Sequence, residues 1–94
     1  MKTPSKKLEL YRRELQELDL QVLLLVSERF RLVSEMGTIK RQLKMEVLQE
    51  AEWQKKVEFL SAHLEENPFS SEVMQVFHEI HELSVGIQLG TANS

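Results

Sequence analysis

Between Leu8 and Leu43 an apolar side chain returns at every third and fourth position: Leu8, Tyr11, Leu15, Leu18, Val22, Leu25, then Leu32, Met36, Ile39 and Leu43. No proline interrupts the run. This spacing predicts a single amphipathic helix with a coiled-coil-like seam. Such a helix would be about 54 Å long at roughly 1.5 Å per residue, whereas a compact monomer of this size, with a radius of gyration of about 12–13 Å, is only some 30–35 Å across. The helix overshoots any globule its own chain can build. Its middle, Leu20 to Val26, is apolar nearly all the way round, and a helix hydrophobic on every side must be covered on every side. The expectation is an intertwined antiparallel homodimer.

Composition narrows the class. Ninety-four residues make one domain, 1–94, small enough for oligomerisation to help stabilise it. Three glycines and two prolines leave little room for loops. The absence of cysteine removes disulfides, thiolate metal sites and cysteine nucleophiles. Met1 to Lys7 is basic, but no uncharged apolar run of signal-peptide length follows it, and Val22 to Val26 is far too short to span a bilayer. No membrane partner is expected, and the cytoplasm is the expected compartment. A net charge of −3 argues against a nucleic-acid partner. The basic clusters Lys40, Arg41, Lys44 and Lys55, Lys56 have acidic neighbours and read as solvated helix faces.

Along the chain the reading is all-α, with three helices, one very long and two shorter. Helix 1 covers about 6–43, with Ser5 as its N-cap. Gly37 lies inside it; glycine there costs up to about 1 kcal/mol, which suggests a close approach to the backbone or a tolerated weak spot. Residues 44–48 form a connector. Trp53, Val57, Leu60 and Leu64 mark helix 2 over about 49–66, and Asn67-Pro68 stops it. Helix 3 spans about 70–89, capped by Ser70 or Ser71 with Glu72 in its first turn, and 90–94 is a loose tail.

The candidate chemistry lies where polar groups replace carbon. Arg29 occupies a seam position, and Lys40, eleven residues on, projects within roughly 20° of the same direction and about 16 Å further along the axis. Two cations on one buried-looking line, neither with an acid three or four residues away in sequence, suggest an anionic ligand. Ser84 and Gln88 are four apart and share a face of helix 3. Arg12 is rotated by about 100° from Arg29 and lies roughly 25 Å up the helix, so it serves the same pocket only from an antiparallel partner with a dyad near Leu23. Each residue has an ordinary reading by itself: Arg29 as a snorkelling or ion-paired seam residue, Lys40 as a surface lysine, Ser84 as a helix serine. The set is more specific than any member. His78-Glu79-Ile80-His81 is not the H-E-x-x-H zinc motif, its histidines being three apart. No metal and no cofactor are expected, and His81 reads as packing or as lining the site.

At these residues the sequence resembles the all-helical chorismate mutase family, from about Leu8 to Leu89. The matching pattern is Leu10-Tyr11-Arg12, Leu18-Asp19, Glu28-Arg29, Met36-Gly37 and Lys40, then Ile80 to Gln88 with Ser84 and Gln88 as the final serine and glutamine. The resemblance implies the unimolecular [3,3] rearrangement of chorismate to prephenate, without cofactor or metal. Carried over by position, Arg12 of the partner subunit and Arg29 hold the two carboxylates, Lys40 and Gln88 face the ether oxygen, Ser84 helps to seat a carboxylate, and Gln49 hydrogen-bonds the hydroxyl. Guanidinium and ammonium groups suit a dianion, and a pericyclic reaction needs only a selected conformer and fixed positive charge at the breaking C–O bond.

The start of helix 2 departs from the usual family pattern. Val47 is followed by Gln49, Glu52 and Trp53. A subgroup is similar in having glutamine and tryptophan there, and it includes mutase domains fused to the first enzyme of the shikimate pathway. That subgroup keeps an arginine where this chain has Glu52. Three other readings stand beside the first. One is a relative that cleaves pyruvate from isochorismate, and one a weakly active helical dimer docked on another shikimate-pathway enzyme as its regulator. The last, a plain coiled-coil adaptor, leaves Ser84, Gln88 and Gly37 unexplained.

Overall fold

The structure of the protein is a computed structural model that describes residues 3–92. Three helices follow one another: α1 over Pro4–Gln42, α2 over Glu50–His63 and α3 over Ser70–Ala92. No strand occurs among the described residues.

Each helix end has a local cause. α1 starts earlier than the Ser5 cap implies. Thr3 Oγ1 accepts from the Lys6 amide at 3.3 Å and the Thr3 carbonyl from the Lys7 amide at 3.0 Å. Thr3 is thus the cap, and Pro4 takes the first helical position, where its fixed φ and missing N–H cost nothing. α2 begins after Gln49 and stops at His63, short of Glu66. Its last turn tightens into three-residue bonds, Leu64 N to Ser61 O and Asn67 N to Leu64 O, both 3.0 Å, before Pro68 ends it. Asn67 then opens α3: its Oδ1 accepts from the Phe69 amide at 2.7 Å and its carbonyl from the Ser70 amide at 3.2 Å. Ser70 is therefore the first helical residue rather than a flanking cap. α3 continues through Gly90 to Ala92, where a loose tail is expected; Asn93 and Ser94 lie outside the described residues, as do Met1 and Lys2.

The chain divides into two compact units, Met1–Arg31 and Leu32–Ser94. In the first, every described residue from Thr3 to Leu25 is exposed. This includes the whole leucine seam, with Leu24 at 67% and Leu25 at 70% exposure. This is more contiguous apolar surface than the single exposed leucines scattered over most proteins. In the second unit α2 packs on α3. Within α2 the half-buried residues are Trp53, Val57, Leu60 and, just past its end, Leu64, the four positions picked out by the three-and-four step. Half-buried Val73, Phe77 and Ile80 lie along α3. No helix among the described residues is long and apolar enough to cross a membrane.

Candidate active site

Four of the described residues are buried: Val33 and Gly37 on α1, Ser84 and Gln88 on α3. Large apolar side chains usually fill that role, so two polar residues, 5% and 7% exposed, are the informative pair. Burial of Gly37 agrees with a close approach to the α1 backbone. Val33, Gly37 and Lys40 fall on one face of the helix by their three- and four-residue spacing.

Lys40 is the cation of this region. Its Nζ donates to Gln88 Oε1 at 2.7 Å and to the Val47 carbonyl at 2.9 Å, both in part-buried surroundings. An ammonium has three donors and no acceptor, so the Gln88 amide must present its oxygen to Lys40, which leaves its Nε2 donors pointing elsewhere. Ser84 Oγ donates to the Ile80 carbonyl at 2.6 Å, the back-bond of a helical serine one turn on. No buried side-chain nitrogen or oxygen among the described residues lacks a partner.

Gln49 is half-buried at the N-cap position of α2, with φ −116° and ψ 98°. Its carbonyl accepts from the Glu52 and Trp53 amides at 3.0 and 3.1 Å, while its side chain makes no capping bond. Trp53 lies flat against His81, centroids 3.7 Å apart and planes 17° apart, with the edge of His78 5.3 Å away. Both therefore serve packing of α2 on α3. Glu52, on the exposed side of α2, pairs with Lys55 Nζ at 3.2 Å. The two arginines expected to hold carboxylates belong to Met1–Arg31, Arg12 exposed and Arg29 half-buried. No group of three or more His, Cys, Asp or Glu side chains that could hold a metal ion occurs among the described residues.

Two features have no counterpart in the sequence reading. One is the Val47 carbonyl on Lys40, a backbone group that residue types do not announce. The other is Lys44, which takes a positive φ of 56° in a turn that glycine or asparagine would have flagged.

The family model for chorismate mutase type II matches residues 11–89 of the chain. The protein belongs to the chorismate mutase type II family. It is accordingly an enzyme, an isomerase of the chorismate mutase type, and its three helices and lack of strands among the described residues agree with that all-helical family. No curated protein and no solved structure matches the chain.

Proposed function

We propose that this member of the chorismate mutase family rearranges chorismate to prephenate at a site built around Lys40 and Gln88, and that it works as an antiparallel homodimer. The 2.7 Å bond between Lys40 Nζ and Gln88 Oε1 carries this reading. It brings together, in part-buried surroundings, the cation and the amide that the resemblance assigns to the ether oxygen. As the C–O bond breaks, negative charge grows on that oxygen. The third N–H of Lys40 and the Nε2 donors of Gln88 stabilise it without reorganising, which lowers the barrier more than it tightens ground-state binding.

The remaining roles follow from residue chemistry and the resemblance. Arg29 and Arg12 of the partner subunit clamp the two carboxylates bidentately and hold the folded diaxial conformer. Ser84 helps to seat a carboxylate by turning its single O–H away from the Ile80 carbonyl. Gln49, whose amide is not spent on capping, receives the substrate hydroxyl. Glu52 pairs with Lys55 on an exposed face, so it adds no repulsion to a dianion. Gln49 and Trp53 at the start of α2 support a place in the subgroup with glutamine and tryptophan there. The exposed seam from Leu8 to Leu25 supports the dimer, since a second copy supplies the apolar cover that the first lacks.

The test is loss of chorismate absorbance with purified protein, followed by identification of the product. Prephenate is the expected product. Salicylate and pyruvate formed from isochorismate would replace this reading by the lyase, and silence with both substrates would replace it by the docked regulator.

A further inference from the structure

The connector between α1 and α2 supplies an acceptor to the Lys40 ammonium, and a single residue folds it. Lys44 has φ 56°, the left-handed region in which Cβ crowds the following carbonyl. Among the described residues it is the one non-glycine with positive φ. This conformation closes α1: the Lys44 amide donates to the Arg41 carbonyl at 3.1 Å and the Met45 amide to the Lys40 carbonyl at 2.8 Å, the paired bonds of a Schellman turn. The chain reverses there, and the Val47 carbonyl arrives 2.9 Å from Lys40 Nζ. Lys40 is thus held at both ends, its carbonyl by Met45 and its ammonium by Val47.

We propose that Lys44 is a positioning residue for the Lys40 ammonium, acting through the left-handed turn that delivers the Val47 carbonyl. The proposal rests on the reading of Lys40 as the cation at the ether oxygen. With Gln88 Oε1 as its one acceptor, the ammonium still turns about that hydrogen bond, and its other two N–H groups sweep a cone. A second acceptor removes the rotation, and the tetrahedral nitrogen then aims its third N–H in one direction. Attraction between a dianion and a cation depends little on where the donors point, whereas stabilisation of a charge growing on one oxygen does. Lys44 therefore acts on kcat more than on KM.

Two substitutions separate backbone conformation from side-chain charge. Lys44→Gly and Lys44→Val both remove the charge, but only valine opposes a positive φ. The glycine variant is expected to turn over like the parent. The valine variant is expected to lose about tenfold in kcat, equivalent to about 1.4 kcal/mol, with KM little changed and helical content and oligomeric state retained. Equal kcat values for the two variants, whether both retained or both lost, would overturn the proposal. Should Lys44→Val not fold, Lys44→Ala replaces it: a kcat below that of the glycine variant supports the proposal and an equal one overturns it. Lys40→Gln, measured alongside, tests the underlying reading. If it turns over like the parent, the role of Lys40 falls and Lys44 falls with it; if it is inactive while valine matches glycine, the role of Lys44 alone is lost.

Discussion

Lys40 Nζ lies 2.7 Å from Gln88 Oε1 across forty-eight residues of chain, so the end of the first helix and the end of the third meet in one charged hydrogen bond. A donor-only ammonium dictates which end of the amide faces it. With Val47 on a second donor, the cation has one N–H left to offer a substrate. Lys40→Ala should lower kcat/KM by roughly 10²–10³, the usual loss when one preorganised donor is removed from a developing oxyanion. Steady-state kinetics checks this, with unchanged far-ultraviolet circular dichroism as the control.

Gln88→Glu replaces a neutral amide by a group that is an acceptor only when ionised. At neutral pH its carboxylate would neutralise Lys40 and repel the ether oxygen. Protonation restores an O–H donor, so activity should be low at neutral pH and rise as pH falls, a profile the parent protein should not share. A flat profile for the variant would remove Gln88 from the ether oxygen.

Trp53 is the single tryptophan of the chain and lies flat on His81, which makes its emission a local probe of the contact between α2 and α3. His81→Ala should cost roughly 0.5–1.5 kcal/mol beyond the lost buried area, as aromatic pairs do. It should also shift emission to the red as water reaches the uncovered ring face. Denaturant titration followed by fluorescence reads both effects at once.

The Glu28 carboxyl is held below its ordinary value, first by hydrogen bonding to Arg31 and then by the charge of that guanidinium. The pairing is two-pronged, Arg31 Nε to Oε2 at 3.0 Å and Nη2 to Oε1 at 2.6 Å. A carboxyl depressed in the folded state adds stability above its unfolded value of 4.5 and loses it as pH falls through the lower folded value. The pair is exposed, so the direct readout is nuclear magnetic resonance. Glu28 should titrate below its ordinary value at low salt and move up in Arg31→Ala.

The proposed shared site is testable by mixing. Arg12→Ala and Arg29→Ala chains should each be nearly inactive alone. After chain exchange, a heterodimer carries one pocket with both arginines intact, and part of the activity should return. No recovery despite exchange verified by mass would exclude a site completed by the partner.

The inward faces of the second and third helices were open to reading because periodicity reports burial directly. Trp53, Val57, Leu60 and Leu64 are the half-buried residues between Glu50 and Glu66, and no others there are. Helix ends were less legible. Thr3 and Ser5 are both good caps, and Pro4, which favours the first helical position, was the signal that decides between them. Residues 64–66 keep the apolar spacing of α2 but tighten out of the α-helical bond pattern, which side-chain period does not register. Lys44 gave no sign because its conformation is imposed by the bonds around it rather than preferred by its type. Of the candidate site, Lys40, Ser84 and Gln88 sit in the part of the chain that packs on itself. Arg12 stands on a stretch, Thr3 to Leu25, where every described residue is exposed, so nothing within its own unit encloses it.

Two of the four described residues hidden from water, Ser84 and Gln88, are polar. Apolar replacements of similar size would relieve the helices of a desolvated hydroxyl and amide, so selection for robustness and selection for turnover pull these positions in opposite directions. A descendant freed from its substrate should harden at 84 and 88 first, and a laboratory screen for heat tolerance alone should recover the same drift.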